Sequence, residues 1–295
     1  MRVNNVPRRA LDLLGHINVV LFLPHDVELV DGPPAARRRY LDIALCQTDA
    51  EYTRTLSAYD KVLTQRNALL KSLQDRRGDP GEELAFWDEE LTNAGARIML
   101  ARARTLKELQ GFAQPIHRDL TGGEEHLQLI YHPSLETGDV PDKQLSLGFA
   151  LPADLTRLNL DGLRAEFAEQ LRRLRREEIA RGVTLVGPHR DEVRFLATGA
   201  DLGVYGSRGQ QRTAVLALKL AEVRWMHDHT GEMPILLLDE VLAELDVNRR
   251  ARLLETVGAA EQALLTSTDP ALFSAEFLAR AKRLKVTAGR IEEVG

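Results

Sequence analysis

Short apolar runs alternate with longer periodic stretches along the chain, and they divide it into predicted strands and helices. Residues 17–23 (INVVLFL) form an apolar run rich in β-branched residues between Gly15 and Pro24. Such a run predicts a buried strand. After a loop rich in proline, apolar residues recur at helical spacing over residues 35–47, which predicts a helix.

The next segment has the repeat of two long amphipathic helices. The apolar positions are Leu56, Tyr59, Leu63, Leu70 and Leu73 in the first helix and Trp87, Leu91, Ala94, Ile98 and Ala101 in the second. Only Arg66 interrupts the first stripe, and RRGDPG separates the two helices. The short polar connection predicts an antiparallel helical hairpin. An ordinary helical bundle would have the same pattern, so the hairpin alone indicates no function.

The second half of the chain alternates strand and helix signals. Residues 126–131 (HLQLIY) predict a strand and residues 133–152 an irregular stretch, and a third helix is predicted from an N-cap at Asp161 to Gly182. The segments that follow are TLVG, VRFLAT, a helix from about residue 210 to 227, ILLLD, a helix after Asp246, ALLT and RLKVTA. This alternation predicts an α/β fold with parallel strands.

Length and composition are those of a globular protein with a packed core. The chain has 295 residues, of which 44% are hydrophobic and 28% charged, and this length suits two packed lobes. We expect one lobe from residues 1–47 and 183–295, and a mainly helical second lobe from residues 48–182. No apolar run reaches the roughly 18 residues of a membrane span, so we expect a cytoplasmic protein with no membrane partner.

The formal net charge of -5 excludes a protein that coats nucleic acid by bulk attraction. Any surface for DNA must therefore be local. Arginines do cluster, and the densest group is Arg172, Arg173, Arg175 and Arg176. Its alternative is a solvated helix face, because Glu169, Glu177 and Glu178 are interleaved with it.

The most specific segment is PILLLDEVLAELD, at residues 234–246. Four apolar residues end in Asp239 and Glu240, and α/β sheets bind their ligands at the carboxyl ends of such strands. In phosphate-binding enzymes an acid at this point holds magnesium and a neighbouring acid polarises the attacking water. We therefore assign Asp239 to Mg²⁺ and Glu240 to the general base. The alternative is a strand that ends in an acidic loop.

Two further motifs flank these acids. AELD ends at Asp246, which can cap the next helix, and it resembles the D-loop of ABC ATPases. Upstream, GSRGQQR places Ser207, Gly209 and Gln210 at the start of a helix, where free N–H groups and glycines favour phosphate. These three residues match the ABC signature motif in type and spacing. A helix start with a glycine cap is the alternative.

Taken in order, TLVGPHRDEVRFL, YGSRGQQR and ILLLDEVLAELD resemble the RecF family. The amino-terminal segments VNNVPRR, NVVLFLPHD and GPPAARRRYLD are similar to the same family, so the resemblance covers essentially the whole chain. The GPHRD segment distinguishes this family from transporter ATPases. The short helical hairpin distinguishes it from SMC proteins, whose heads carry a long coiled coil.

The chain departs from the family pattern at two points. It contains no GxxxxGK[ST], because none of its lysines follows a glycine. In the family this Walker A segment precedes the matching region, so we expect an internal start or a truncation at Met1 and no hydrolysis by this chain alone. The second departure is Thr268, which stands where many ABC ATPases have a histidine near the γ-phosphate. We expect only a weak polar contact from it.

The resemblance implies an α/β fold of the ABC-type ATPase head with a helical lobe. It implies ATP and Mg²⁺, an ATP-dependent homodimer in which Ser207 faces the partner's nucleotide, and a weak DNA-dependent ATPase activity. The dimer would clamp duplex DNA at single-strand gaps and, with RecO and RecR, help load RecA, with the arginine cluster at residues 172–176 on the DNA. The rival hypotheses are a non-catalytic scaffold for DNA or RecR and a related SMC-like or transporter head.

Overall fold

The computed structural model describes residues 2–3, 6–7, 15, 17–74, 81–136 and 154–294. Its helices are α1 (Glu28–Asp31), α2 (Pro34–Thr48), α3 (Ala50–Gln74), α4 (Gly81–Leu120), α5 (Leu160–Arg181), α6 (Leu202–Tyr205), α7 (Arg208–Thr230), α8 (Val247–Ala259) and α9 (Ala275–Arg280). Its strands are β1 (Arg2–Val3), β2 (Val6–Pro7), β3 (Val19–Phe22), β4 (Leu127–His132), β5 (Glu192–Ala197), β6 (Ala200–Asp201), β7 (Ile235–Asp239), β8 (Ala263–Thr266), β9 (Arg283–Thr287) and β10 (Arg290–Val294).

A parallel sheet with the strand order β3-β7-β8 carries the acidic motif. Phe22 pairs with Leu238 and Asp239 pairs with Thr266, so all three strands end at one edge. The apolar side chains alternate, because Phe22 and Leu238 are buried whereas Leu264 is 56% exposed. One face therefore joins the core with α7, while the other is left partly open to solvent within the described residues.

Not every predicted strand joins this sheet. VRFLAT forms β5, which pairs antiparallel with β4 and β6 in a second sheet, and RLKVTA forms β9, which pairs antiparallel with β10. The prediction of a strand at TLVG was wrong. Thr184 and the residues after it form an irregular loop instead, because its polar groups bond to side chains of helices α3 and α5 rather than to a neighbouring strand.

Helices α3 and α4 form the predicted hairpin, and their connection lies outside the described residues. The predicted seam is largely buried, with Tyr59, Leu70, Leu91 and Ile98 at 1% exposure or less. Helix α4 does more than the hairpin requires, since it also packs against α5, α7 and β4. Its 40 residues thus contact four helices and one strand. The α/β class and the ABC-head type of fold are thus confirmed, and the exact lobe boundaries stay a prediction.

Arg66, the residue that interrupts the apolar stripe of α3, is fully buried. Its Nε donates to Asp88 of α4 at 2.8 Å, its Nη2 to Glu178 of α5 at 2.6 Å and its Nη1 to the Thr184 hydroxyl at 2.8 Å. A buried guanidinium is tolerated only when its charge and its donors are all matched. Arg66 therefore links three helices and the loop at residue 184 rather than marking a solvated break.

Helix α5 begins at Leu160, and its N-cap is Asn159 rather than the predicted Asp161. The side-chain oxygen Oδ1 of Asn159 accepts the Gly162 N–H at 2.7 Å, while Asp161 lies in the first turn and pairs with Arg164. Both residue types cap helices, so local sequence did not distinguish them. The predicted end is confirmed, since Gly182 adopts φ 64, the left-handed conformation that glycine accepts without strain.

The GPHRD segment forms a polar junction in which Asp191 is buried, His189 is half-buried and Arg190 is exposed. His189 contacts the Tyr59 hydroxyl of α3 at 2.6 Å through Nδ1 and the Thr184 carbonyl at 3.2 Å through Nε2. Since a carbonyl only accepts, Nε2 carries the proton and Nδ1 accepts from the tyrosine. Burial lowers the pKa of His189 to about 4, so this neutral form holds at neutral pH. Asp191 accepts the Ser134 N–H at 2.7 Å and the Tyr131 hydroxyl.

Among the described residues, every helix is either too short or too polar to cross a bilayer.

We expect Arg66→Leu to lower the free energy of unfolding by about 3–5 kcal/mol, because it leaves the Glu178 carboxylate buried without its cation. Urea denaturation measures this change. The matched control is Arg97→Leu, which removes an arginine–glutamate pair of the same hairpin whose side chains are 55% and 68% exposed. That loss should be within about 1 kcal/mol. If the two variants lose the same free energy of unfolding, the Arg66 network is not a principal contribution to the stability of the fold.

Candidate functional site

The acidic motif lies where the sequence predicts it, at the carboxyl end of β7. Asp239 is the last residue of this strand and is exposed, and Glu240 follows it. Glu240 has φ 52, a left-handed conformation that costs a residue with a side chain on the order of 1–2 kcal/mol. The turn therefore holds the Glu240 carboxylate at the sheet edge at an energetic cost.

Thr266 of β8 positions both acids. Its hydroxyl donates to Asp239 Oδ1 at 2.6 Å and accepts the Glu240 N–H at 3.1 Å. Thr268 contacts Glu240 Oε2 at 3.4 Å through its hydroxyl, so it belongs to the same group of side chains. Thr266 was missed in the sequence, although it ends the predicted strand ALLT. The register of two neighbouring parallel strands is the signal that could have identified it.

This group suits a magnesium ion that is shared with phosphate. The described residues contain no cluster of three or more metal-binding side chains. Magnesium in phosphate-binding enzymes uses one or two carboxylates together with substrate oxygens and water. Asp239 is such a carboxylate, since it is exposed at a strand end and keeps Oδ2 free of any hydrogen bond among the described residues. The donor set therefore fits a magnesium phosphate and not a metal held by protein alone.

The second group of site residues lies at the start of α7. Ser207 is the N-cap, and its hydroxyl oxygen accepts the Gln210 N–H at 3.2 Å. In return, Gln210 Oε1 accepts the Ser207 N–H at 2.9 Å, which completes a capping box. Both Ser207 and Gly209 are exposed. The helix start is thus rigid, and the Ser207 hydroxyl proton can still be donated to an anion.

The two glycines beside Ser207 have different reasons to be there. A methyl group on Gly206 would lie 2.5 Å from the Leu202 carbonyl oxygen, so the fold itself requires that glycine. A methyl group on Gly209 would meet nothing closer than the Ser207 hydroxyl at 3.9 Å. A glycine in a helix costs up to about 1 kcal/mol relative to alanine. Packing gives no reason for this cost, whereas close approach of a ligand to the backbone would.

Asp246, the D-loop candidate, caps α8 as predicted, since its carboxylate accepts the Arg249 N–H at 2.9 Å. It also pairs with the Arg249 side chain at 2.7 Å. The turn that leads to Asp246 is tied to the signature helix, because Arg212 of α7 forms an ion pair with Glu244. The ion pair therefore links the helix that Ser207 caps to the turn before Asp246. The same turn directly follows the acids at the end of β7.

The arginine cluster of α5 is not part of this site. Arg172 and Arg173 both pair with Glu169, whereas Arg175 donates to Asp88 at 2.7 Å beside the buried Arg66. Arg176 is exposed and has no ion pair with any described residue. Three of the four side chains thus point to solvent, and Arg175 has a structural partner. Contact with DNA stays a prediction for this cluster.

The chain matches no protein-family model, but it is similar in sequence to curated proteins named RecF. It is 46% identical over 295 residues to the DNA replication and repair protein RecF of Chloroflexus aurantiacus, covering 99% of this chain and 71% of that protein. It is 38% identical to RecF of Bacillus subtilis (strain 168), covering 98% of this chain and 74% of that protein.

Solved structures give the same result. The structure of the recombination mediator protein RecF-ATPrS in the RecFOR pathway matches with a TM-score of 0.83 and 29% identity, over 100% of this chain and 72% of that one. The corresponding RecF-ATP structure matches with a TM-score of 0.82 at the same identity and coverage.

The contrast between the two glycines is testable. We expect Gly209→Ala to leave the melting temperature unchanged or slightly higher, because the added methyl group has open space and alanine favours the helix. Gly206→Ala should lower it, since its methyl group would overlap the Leu202 carbonyl. Thermal denaturation of the two variants against the parent protein compares them. A clear loss of stability in Gly209→Ala would show that this glycine serves packing.

Proposed function

Because the chain belongs to the RecF family of DNA replication and repair proteins, we propose that it binds ATP between two copies of itself and closes on duplex DNA. The closed homodimer would act at single-strand gaps in the cytoplasm, with RecO and RecR, to help load RecA. The observation that carries this proposal is the pair of acids at the end of β7, held by Thr266 at an edge open to a ligand.

Asp239 is the proposed ligand of Mg²⁺, and Glu240 the proposed general base. Bound magnesium offsets the negative charge of the phosphates of ATP. Thr266 restrains Asp239 through one carboxylate oxygen, and the other has no hydrogen bond to a described residue and is available for the ion. Glu240 is restrained through its backbone N–H, and Thr268 meets its carboxylate. Glu240 can therefore accept a proton from water while its main chain stays fixed, as a general base requires.

Ser207, Gly209 and Gln210 are the proposed contacts to the nucleotide of the partner subunit. Free N–H groups at the start of α7 and the Ser207 hydroxyl are donors for a terminal phosphate, and the bare Gly209 allows close approach. Asp246 is linked to the same helix, because Glu244, which precedes it in the turn, forms an ion pair with Arg212 of α7. Each copy would thus present acids to one nucleotide and the signature motif to the other. Loss of the terminal phosphate would remove the interaction that favours closure.

The sequence contains no GxxxxGK[ST] loop. The contributions that this chain's residues can make are therefore the metal carboxylate, the base and the signature contacts. We propose a weak, DNA-dependent ATPase activity for the whole protein.

The second candidate is a non-catalytic scaffold that holds DNA or RecR. Two observations favour the enzyme. Glu240 occupies a costly left-handed conformation, and such strain tends to occur at functional sites. Thr266 and Thr268 both hydrogen-bond to the acidic pair, which a strand ending in a merely solvated acidic loop does not need. The third hypothesis, an SMC-like or transporter head, is excluded because the chain belongs to the RecF family.

We expect Glu240→Gln and Ser207→Arg to fail differently in the protein expressed from its complete gene. Glu240→Gln removes the base but leaves Asp239, so ATP should bind and hold the dimer while hydrolysis falls by about 100-fold or more. Ser207→Arg places bulk and charge in the interface, so ATP should bind without closing the dimer. Sedimentation with ATP measures the dimer, and phosphate release measures hydrolysis.

The conservative control for this pair is Ser207→Thr, which keeps the hydroxyl and the helix cap. It should dimerise with ATP like the parent protein. If Ser207→Arg dimerises as well as Glu240→Gln, the start of α7 is only a structural cap. If neither the parent protein nor Glu240→Gln dimerises with ATP, the proposal of a shared nucleotide is wrong.

The arginine cluster leads to a prediction about DNA. Replacing Arg172, Arg173 and Arg176 with alanine should weaken duplex binding and lower its salt slope by about 0.9 for each arginine that neutralises a phosphate. Arg175 is kept because it pairs with Asp88. The control replaces Lys282, Lys285 and Arg290, near or within the β9–β10 pair, with alanine, which removes equal charge. A salt titration in which both triple variants behave alike would assign the cluster to a solvated helix face.

A further inference from the structure

The last turn of α4 contains a histidine whose position packing alone does not explain. His117 is fully buried, yet neither ring nitrogen has a hydrogen-bond partner among the described residues. A buried polar group without a partner costs about 1–3 kcal/mol. An apolar side chain would avoid this cost. The groups that face His117 therefore have to account for a histidine at this position.

On one side, His117 faces the carboxylate of Glu125. Its Nε2 lies 3.7 Å from Glu125 Oε2, beyond hydrogen-bond distance, and Oε2 is itself buried without a partner. The other oxygen, Oε1, accepts the side-chain N–H of Gln210 at 2.8 Å. Gln210 in turn accepts the Ser207 N–H. A continuous row of polar groups, the His117–Glu125–Gln210 relay, thus leads from α4 to the signature serine.

His117 is also within electrostatic range of Arg249 of α8. Burial lowers the pKa of His117 and the charge of Arg249 adds to this shift, whereas the carboxylate and the backbone of Glu125 oppose it. Arg249 Nε is a third buried group without a partner, although the same side chain pairs with Asp246 at 2.7 Å. Unmatched groups thus occur on α4, on α8 and before β4, and two of them belong to side chains that bond to Gln210 and to Asp246.

We propose that His117 is a positioning residue for Ser207, which it moves through Glu125 and Gln210. A shift of less than about 1 Å brings Nε2 within hydrogen-bond distance of Glu125, and a bond to a carboxylate is stronger than one to a neutral acceptor. When Glu125 shifts, its hydrogen bond moves the Gln210 side chain. The capping box between Gln210 and Ser207 then moves Ser207. The His117–Glu125 bond forms as the signature motif closes on a nucleotide, so closure recovers the energy that the unmatched groups cost the open state.

This inference rests on the proposed function, because it assumes that Ser207 contacts a nucleotide across two copies. It adds a link that the motifs do not contain. Through the relay, the position of α4, the longest helix of the helical lobe, is coupled to the helix that contacts the nucleotide.

The experiment uses the protein expressed from its complete gene with Glu240→Gln, which holds ATP without hydrolysis. Into this background are placed His117→Leu, which fills the space without polar atoms, and His117→Gln, which restores an N–H donor. We expect His117→Leu to melt at the same or a higher temperature, because it removes unmatched buried groups. Its ATP-dependent dimer should nevertheless be about tenfold weaker by sedimentation. His117→Gln should recover most of the loss.

The matched control is His229→Leu, which removes another histidine–glutamate pair, here between α7 and α4. His229 of α7 lies 3.3 Å from Glu108 of α4, about 33 Å along α7 from Ser207. It should leave dimerisation unchanged. The inference is overturned if His117→Leu dimerises like its parent, or if it loses stability and His117→Gln fails to restore the dimer. If the Glu240→Gln parent itself stays monomeric with ATP, the proposed function falls and the inference falls with it.

Discussion

The buried charge of Arg66 is the constraint on which the arrangement of the helices depends. A guanidinium inside a protein must have both its charge and its donors satisfied, and here the partners come from α4, α5 and the loop at Thr184. Moving any one of these elements would leave a buried charge unmatched. The same loop continues into Gly187, His189 and Asp191, whose contacts reach α3 and β4. Arg66 and this loop therefore fix the positions of α3, α4, α5 and β4 relative to one another.

Arg102 is a second buried arginine that links several elements of the fold. It is buried in α4, forms an ion pair with Asp42 of α2 at 2.8 Å and donates to the Pro188 carbonyl at 2.7 Å. Helix α4 therefore reaches the GPHRD loop and α2 through matched charges, and α7 through apolar packing. A rod with such fixed neighbours transmits displacement rather than absorbing it, because packed interiors are nearly incompressible.

The site residues have the opposite character, since most of them are exposed and two of them adopt a costly local structure. Glu240 is in a left-handed conformation, Gly209 gives up helix stability without a packing reason, and Ser207 lies open at a helix start. These features make sense if each surface is only half of a site. A nucleotide and a second copy would supply the missing partners, and closure would then depend on the ligand.

Local patterns in the sequence determined the longer helices, the strand ILLLD with its acids, and the cap at Asp246, because these follow from nearest neighbours along the chain. They also supported the family. Only the tertiary structure decided that VRFLAT joins an antiparallel sheet, that Asn159 caps α5, that Arg66 is buried, and that Thr266 holds Asp239 and Glu240. Each of these depends on partners far away in sequence, whose register and burial are settled when the elements pack.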